Sequence, residues 1–354
     1  MAAGARVDLS RFFLRVWQRR GWAAWLLLPF AGLFVLLAAL RRLVFYWGIL
    51  KQQHLPVPVV VVGNIIVGGS GKTPLTLWLV EQLRAAGWQP GIISRGYAAD
   101  ARPQAVCEVH ADSLAGLVGD EPLLLRRRTG VPVFVGRDRA AAGRALLAAY
   151  PQCDVLLSDD GLQHYRLGRD VEIAVLDGRG LMNGWRLPAG PLRESPQRLA
   201  RVTALVLNGT QVCVPVEAAA VPHFVMQLEG RTFQRLDDPA VQCLSAELAG
   251  LRLAAVCGIA VPERFFRHLE ALGLRFSRHV FPDHHRYSAE DLSGIVADVL
   301  LMTEKDAVKC RAFSGRAIWV LPVTAHLVPD TAGDGLIRLI EPYLVEKMRG
   351  SPTA

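Results

Sequence analysis

The chain has 354 residues, of which 51% are hydrophobic and 20% charged, so its composition excludes a largely disordered protein. At roughly 100–200 residues per domain, this length predicts two domains. The formal net charge of +8 would suit a nucleic-acid-binding protein. However, residues 1–51 carry eight basic residues and one acidic residue, whereas the other 303 carry 32 and 31. The excess charge therefore lies in one N-terminal segment, and we predict no nucleic-acid partner.

An uncharged apolar stretch covers residues 22–40 and lies between arginine pairs at 19–20 and 41–42. A helix of this length would be about 28 Å long, close to the roughly 30 Å hydrocarbon core of a bilayer. A cleaved signal peptide and a buried core helix are the alternatives, but no small-residue cleavage site follows. We therefore predict attachment to a membrane. Because Pro29 lies mid-segment and basic residues flank both ends, a spanning helix and a helix lying in one leaflet both fit.

Short β-branched runs alternate with amphipathic stretches from residue 57 onward, which predicts βαβ units and a mostly parallel sheet with helices on both faces. The first series has strands at 57–63, 91–94, 131–135, 155–158 and 171–177, with helices at 72–86, 121–128 and 138–149. A second series has strands at 253–257, 274–280, 298–303 and 317–321, with helices at 262–272 and 289–296. We predict a membrane-anchor segment over 1–51, an α/β domain over 52–205, an extended linker over 206–230 and a smaller α/β domain over 231–354.

A glycine-rich loop lies between the first strand and the first helix. It reads Ile66-Val67-Gly68-Gly69-Ser70-Gly71-Lys72-Thr73. The pattern GxxxxGK[ST] has a glycine where Ile66 stands, but the three glycines present allow backbone N–H groups to turn toward phosphate oxygens. Lys72 would reach the β- and γ-phosphates of a nucleotide, and Thr73 would ligate Mg²⁺. A turn that only caps the helix is the alternative. The preceding strand favours a phosphate loop and a doubly wound domain of the P-loop NTPase type.

Two carboxylates, Asp159 and Asp160, follow the predicted strand at 155–158. By itself Asp-Asp-Gly is only a turn signal. Beside a phosphate loop, carboxylates at the end of an apolar strand are the groups that hold the Mg²⁺ of a bound nucleotide. No guanine-reading NKxD pattern is visible in the chain, which favours ATP over GTP.

Asp120 and His284 are candidates for a catalytic base. Asp120 lies in the sequence GDEP at a predicted helix start, where its alternative role is an N-cap. His284 lies in FPDHHRY, for which a surface loop is the alternative. If the two side chains meet across a cleft, the carboxylate orients the imidazole and makes it more basic.

These motifs, taken together and in order, resemble those of the lipid A 4′-kinases (tetraacyldisaccharide 4′-kinases) of Gram-negative inner membranes. The matching stretches are VGNIIVGGSGKTP, Ser94-Arg95-Gly96-Tyr97, GDEP at 119–122, DDGLQH at 159–164, Asp177, NGWRLPAGPLRE at 183–194, FPDHHRY at 281–287 and TEKD at 303–306. They span about residues 57–306. Members of this family also carry a hydrophobic N-terminal helix.

The resemblance implies two α/β domains, ATP, Mg²⁺ and transfer of the γ-phosphoryl group to the 4′-hydroxyl of an acylated glucosamine disaccharide 1-phosphate. It implies Asp120 and His284 as the base dyad, residues 66–73 as the phosphate loop, and Asp159 and Asp160 as carboxylates near Mg²⁺. Five further residues fall on motif positions that line the cleft and contact substrate: Gln163, His164, Asn183, Arg193 and Glu194. It also explains Ile66, because this family has no glycine there. Val261 departs from the polar or basic residue expected at its position.

The expected location is the bacterial inner membrane, with both domains on the cytoplasmic side. The expected oligomeric state is a monomer. A membrane-attached P-loop ATPase that acts as a switch or assembly factor is the alternative function. That alternative leaves the histidine motif and the 183–194 motif without a role.

Overall fold

Two β-sheets organise the chain, and the valine run of the first predicted strand lies at the centre of the larger one. The computed structural model describes residues 12–96, 106–310, 316–329 and 331–350, so Tyr97 of the SRGY motif lies outside the described residues. In spatial order, the described strands of the larger sheet are β15 (Thr324–Val328), β8 (His223–Glu229), β7 (Ala204–Asn208), β6 (Val171–Asp177), β1 (Val59–Gly63), β5 (Val155–Asp159), β2 (Pro90–Ser94), β4 (Val133–Val135) and β3 (Cys107–Glu108).

The seven inner strands of this sheet are parallel, and the two edge strands β15 and β3 pair antiparallel with their neighbours. Helices cover both faces. They are α3 (Lys72–Ala85), α4 (Ala115–Val118), α5 (Asp120–Thr129), α6 (Arg139–Ala149) and α10 (Thr331–Gly350).

Alternate valines of β1 face opposite sides of the larger sheet, because successive side chains of a strand point to opposite faces. Val60 and Val62 pack with Leu75 and Leu79 of α3 and with Leu336 of α10. Val59 and Val61 belong to a second core that includes Ala140 and Leu146 of α6. The predicted doubly wound architecture with a second, smaller α/β unit is confirmed.

The smaller sheet lies within residues 232–321, which we call the smaller unit. Its described strands lie in the order β10 (Gln242–Leu244), β9 (Thr232–Arg235), β14 (Ala317–Leu321), β13 (Val299–Thr303), β11 (Leu253–Cys257) and β12 (Phe276–Val280). Its helices are α7 (Pro262–Ala271), α8 (Ala289–Ser293) and the short α9 (Glu304–Ala307). Phe265 and Phe266 of α7 pack on one face of this sheet, and Leu292 of α8 packs on the other.

The expected domain boundaries are wrong in two places. Residues 206–230 are not an extended linker, because they contain the end of β7 and all of β8, which pair in the larger sheet. The chain also leaves the smaller unit after β14: β15 pairs with β8, and Leu336 and Ile340 of α10 complete a core of the larger sheet. The smaller unit is therefore an insertion between β8 and β15, two neighbouring strands of the larger sheet. We call the larger sheet with the helices that cover it the larger unit.

The N-terminal apolar stretch forms α1 (Trp22–Leu26) and α2 (Leu28–Tyr46), and residues 12–18 are also helical. Among the described residues, α2 is the one helix whose length and composition would allow it to cross a membrane. Only 6% of its apolar window is buried, so a core helix, one of the alternatives, is wrong. The apolar segment contacts the rest of the protein near both ends: Trp25 meets Trp185 edge to face at 5.0 Å, and Phe45 lies 6.1 Å from the ring of Tyr165.

Candidate active site

The phosphate loop turns at two glycines and is held from behind by two asparagines. Gly68 and Gly71 have φ values of +97° and +98°, a left-handed conformation that side chains beyond glycine rarely adopt. The Asn64 side chain donates to the Ser70 hydroxyl at 3.1 Å, and Asn208 of β7 donates to the Ser70 carbonyl at 2.9 Å. The loop is thus fixed before any phosphate arrives, and α3 begins directly after it at Lys72.

Ile66 lies in extended backbone that pairs with Leu192, and its side chain is fully buried in a core of the larger sheet. The adjacent Val67 N–H donates to the Pro191 carbonyl at 3.0 Å. The turn that a P-loop makes at its first glycine is absent at this position, so a branched residue fits. Of the predicted nucleotide-binding residues, Ile66 and Ser70 are buried behind the loop. Four of the eight do not line the cavity in front of the loop: Ile66, Ser70, Gly71 and Thr73.

A cavity of about 1460 Å³ opens in front of the loop. Its walls come from the phosphate loop, the start of α5, the chain beyond β5, the motif at 183–194, one face of α2 and the smaller unit. The predicted site residues that line it are Val67, Gly68, Gly69, Lys72, Asp160, Gln163, His164, Arg193, Glu194 and His284. The predicted nucleotide, acceptor and base positions therefore share one cavity.

The two carboxylates beyond β5 have different environments. Asp160 lies 3.5 Å from Lys72 Nζ and 3.4 Å from Arg193. Burial opposes its ionisation, but Lys72 and Arg193 outweigh burial and lower the pKa of Asp160 to about 2. Burial, with the nearby charge of Glu121, raises the pKa of Asp159 to about 7. Asp159 Oδ1 is also buried without a hydrogen-bond partner.

This environment fits a divalent cation next to bound phosphates. An uncompensated, buried carboxylate oxygen next to a phosphate loop is the ligand that Mg²⁺ takes from a protein when nucleotide oxygens supply the rest. No cluster of three or more histidine, cysteine, aspartate or glutamate side chains in the described part of the chain would form a metal site. Asp159 and Asp160 at the end of β5, with Thr73 at the start of α3, are the oxygen ligands that the residues beside the phosphate loop offer.

Asp120 and His284 meet across the boundary between the two sheets. Asp120 is the first residue of α5 and is 5% exposed, and its Oδ2 lies 3.0 Å from His284 Nδ1. Gly119, not Asp120, occupies the N-cap position, so the N-cap alternative is wrong. His284 has a φ of +61°, and this strained backbone directs its ring into the cavity wall. The surface-loop alternative for His284 is therefore wrong as well.

Lys305 of α9 lies beside this pair and was absent from the predicted site. Its Nζ donates to Glu121 Oε1 at 3.0 Å and to Asp283 Oδ1 at 3.4 Å, and it lies 3.5 Å from His284 Nε2. Burial disfavours its charge, but Glu121 and Asp283 outweigh burial and raise the pKa of Lys305. Lysine is scarce in this chain, with five among 40 basic residues. That scarcity is a signal in the sequence that could have identified Lys305.

Glu194 is nearly buried and organises the wall of the cavity opposite the smaller unit. Gln163 donates to its Oε1 at 2.8 Å, and the Tyr165 hydroxyl donates to its Oε2 at 2.6 Å. Burial and the nearby charge of Arg139 lower the pKa of His164 to about 4, so this imidazole is neutral at pH 7.

Asn183 does not line the cavity, so that prediction is wrong. Its side chain is buried, with Nδ2 donating to the Ala189 carbonyl at 2.9 Å and Oδ1 accepting from the Trp185 N–H at 3.0 Å. Both ends of the amide are therefore used to close the loop that leads to Arg193 and Glu194.

Seven arginines besides Arg193 also line the cavity, and none of them was among the predicted site residues. They are Arg41, Arg42, Arg95, Arg137, Arg139, Arg166 and Arg186. The position of Val261, the departure noted above, immediately precedes α7, and its neighbour Ala260 lies close to Gly69 of the phosphate loop.

The fold and this cavity place the chain in the class of P-loop phosphotransferases, in which a phosphate loop binds the donor and side chains across the cavity face the acceptor. Comparison with known proteins narrows the class. The family model described as tetraacyldisaccharide-1-P 4′-kinase matches residues 23–341. The chain belongs to this family, and the resemblance inferred from its motifs is confirmed.

Individual relatives agree over nearly the whole length. The chain is 54% identical to a tetraacyldisaccharide 4′-kinase of Dechloromonas aromatica over 352 residues, which cover 98% of this chain and 100% of that protein. It is 55% identical to the corresponding protein of Azoarcus sp. over 325 residues, 91% of this chain and 94% of that protein. A crystal structure of LpxK from Aquifex aeolicus in complex with ATP superposes with a TM-score of 0.76 at 30% identity, covering 91% of this chain and 99% of that one.

Proposed function

We propose that this protein transfers the γ-phosphoryl group of ATP to the 4′-hydroxyl of a tetraacylated glucosamine disaccharide 1-phosphate, forming the phosphorylated intermediate called lipid IVA in lipid A biosynthesis. One observation carries the proposal. His284, paired with Asp120, lines the same cavity as Lys72 of the phosphate loop. A base that faces the phosphate loop requires an acceptor hydroxyl between them. Family membership identifies that hydroxyl.

At the donor end, the phosphate loop and Lys72 would hold the triphosphate. Thr73, Asp159 and Asp160 would hold Mg²⁺, which when bound neutralises phosphate charge and orients the nucleotide. The buried, unpartnered Asp159 oxygen supports this assignment. Lys72 lies 3.5 Å from Asp160 and can turn toward phosphate when it is bound.

At the acceptor end, Asp120 fixes the imidazole so that His284 Nε2 accepts the 4′-hydroxyl proton. The oxygen then bonds to the γ-phosphorus, and the bond from that phosphorus to the β,γ-bridging oxygen breaks with its electron pair on ADP. Because His284 comes from the smaller unit and Asp120 from the larger, closure of the two units would complete the site and exclude water. Gln163, His164, Arg193 and Glu194 would position the disaccharide.

The acyl chains would lie near α2, which we infer to be membrane-bound. Phe34, Leu37 and Phe45 of α2 line the same cavity as the catalytic residues, so a lipid held there stays in contact with the apolar helix. We place the protein at the bacterial inner membrane, as a monomer, with both units on the cytoplasmic side. Protease access to residues 1–20 from each side of sealed vesicles distinguishes a spanning helix from one that lies in a single leaflet.

The test is incubation of the purified protein with γ-labelled ATP and a detergent-dispersed acylated disaccharide 1-phosphate. Label in the lipid supports the kinase, whereas label only in inorganic phosphate supports the switch-ATPase alternative. Lys72→Met serves as the inactive control. If His284→Ala transfers label to the lipid as fast as wild type does, the assignment of His284 as the base is contradicted.

A further inference from the structure

We propose that Lys305 is a second catalytic lysine, which contacts the transferring phosphoryl group from the smaller unit while Lys72 contacts it from the phosphate loop. The inference rests on the function proposed above and extends it by one residue. Among the described side chains that line the cavity, the smaller unit contributes three: Asp283, His284 and Lys305. Lys305 is the only permanent cation of the three.

The distance from Lys305 to His284 locates the Lys305 ammonium relative to the reacting atoms. Its Nζ lies 3.5 Å from His284 Nε2, the ring nitrogen that does not face Asp120. An acceptor hydroxyl bonded to Nε2 would lie about 2.8 Å from it, and the attacked phosphorus would lie about 3–3.5 Å beyond that oxygen. The Lys305 ammonium lines the same cavity beside His284 Nε2, so it faces the region that the hydroxyl and the phosphorus would occupy.

The charge of Lys305 is maintained by carboxylates that phosphate can replace. Glu121 at 3.0 Å and Asp283 at 3.4 Å pair with the ammonium. These two acids, with the nearby Asp120, raise the pKa of Lys305 although burial acts against its charge. A γ-phosphoryl group carries the same sign of charge as these partners. It can therefore take their place as the partner of the ammonium.

The short turn that carries Lys305 is rigid and is attached to α5, the helix that carries Asp120. Glu304 pairs with Arg128 of α5 at 2.5 Å. On the other side of Lys305, the fully buried Asp306 accepts from the Thr303 hydroxyl at 2.7 Å and from the Gly258 N–H at 3.1 Å. A cation on such a support is preorganised, which is the condition under which electrostatic stabilisation of a transition state is large.

In the proposed step Lys305 transfers no proton. The 4′-oxygen bonds to phosphorus, its proton passes to His284 Nε2, and ADP leaves with the electron pair of the broken P–O bond. Negative charge on the equatorial oxygens of the phosphoryl group is neutralised by Lys72 and Lys305 from opposite sides.

The experiment compares Lys305→Met and Lys305→Arg with wild type, using ATP and the acylated disaccharide phosphate. Lys347→Met, on α10 and away from the cavity, is the matched control. Loss of one such donor costs about 10²–10³-fold in kcat, so we expect that loss in Lys305→Met, with ATP affinity nearly unchanged and partial recovery in Lys305→Arg. Wild-type transfer to the lipid must be shown first, because its absence would refute the proposed function and not the role of Lys305.

A second measurement separates contact with phosphate from an indirect effect through His284. In wild type, replacing ATP by its γ-thio analogue weakens a lysine contact to an equatorial oxygen. We therefore expect the rate with ATP divided by the rate with the γ-thio analogue to fall in Lys305→Met. The same ratio should stay at the wild-type value in Asp120→Asn. If Lys305→Met keeps the wild-type ratio, the proposal is overturned, as it is if kcat changes by less than about threefold. If Lys305→Met does not fold, the same ratio is measured in Lys305→Arg, where a wild-type value would also overturn the proposal.

Discussion

Asp120 and His284 are 164 positions apart in the chain, yet their side chains meet at 3.0 Å. One lies at the start of a helix of the larger unit, and the other in a strained loop of the smaller unit. Neither unit holds a complete base, so the pair exists only when the two units are in contact. The predicted phosphate loop, in contrast, lies entirely in the larger unit, between β1 and α3.

This separation predicts that loss of either dyad member affects turnover and leaves nucleotide binding intact. Asp120→Asn and His284→Ala should each lower kcat by about 10²–10⁴-fold, the usual contribution of general base catalysis, with little change in the KM for ATP. Steady-state transfer of label to lipid measures both quantities. His285→Ala is the matched control, because His285 bonds to Asp291 at 3.0 Å and stacks on Phe281. Near-wild-type turnover in both dyad variants would refute the assignment.

Lys72→Ala should impair both ATP binding and phosphoryl transfer, whereas the dyad variants should impair transfer alone. The side chain faces the cavity at the end of the phosphate loop, so its loss removes charge from both the bound nucleotide and the transition state. Both ATP affinity, measured by equilibrium binding, and kcat should fall. A variant that bound ATP as wild type and transferred label at more than a tenth of the wild-type rate would contradict this role.

Asp159 should make the metal-free protein sensitive to pH. Its folded-state pKa of about 7 lies above the ordinary value of 3.8. Between these two pH values the folded protein therefore binds a proton that the unfolded chain does not bind. This contribution to stability is complete below about pH 4 and is lost as the pH rises through 7. With EDTA present, the melting temperature of wild type should therefore fall from pH 5.5 to pH 8 more than that of Asp159→Asn. Equal slopes would show that Asp159 does not titrate in this range.

The same proton predicts that Mg²⁺ and acid compete. Binding of Mg²⁺ with nucleotide requires the ionised Asp159 carboxylate, so affinity for Mg²⁺ should weaken as the pH falls below 7 and a proton should be released on binding. Isothermal titration calorimetry in buffers of different ionisation enthalpy measures the number of protons released on binding. Asp159→Asn should show no such release, and a release that persisted in this variant would assign the proton to another group.

Asn183→Ala should destabilise the protein by about 2–4 kcal/mol, because it leaves the buried carbonyl of Ala189 and the partly buried N–H of Trp185 without this partner. Chemical denaturation in detergent measures the loss. Gln242→Ala, at an exposed position of β10, is the control and should change stability by less than about 0.5 kcal/mol. Activity should fall together with stability, since the loop that Asn183 closes ends at Arg193 and Glu194.

The central strands and the phosphate loop could be predicted because their signals are local. A run of four valines followed by glycines and Lys-Thr identifies a buried strand, a turn and a helix start. The strand β8 gives no such signal, because it is only partly buried and its residues HFVMQLE mix apolar and polar types. The pairing of β15 with β8 depends on where the chain returns after the smaller unit, and no local pattern records that.

Part of the candidate site could also be predicted, because several of its residues belong to motifs that are local in the sequence. Asp120, Lys72 and His284 belong to motifs whose chemistry can be read from residue type and spacing. The role of Asn183 could not be read in this way, because an amide that contacts substrate and an amide that closes a loop look the same in sequence. Lys305 was missed because its function depends on His284 and Glu121, which approach it only in the folded protein.

The insertion of the smaller unit between β8 and β15 brings its two ends together. Glu229 pairs with Thr324, and a Cβ on Gly230 would lie 2.4 Å from the Pro322 carbonyl oxygen. The chain therefore enters and leaves this unit at adjacent points on one strand pair. Removing it or exchanging it for another fold requires only a hairpin turn at that point, with no new connection across the molecule. The whole smaller unit, with His284 and Lys305, is therefore one continuous insertion whose two ends meet at a single pair of strands.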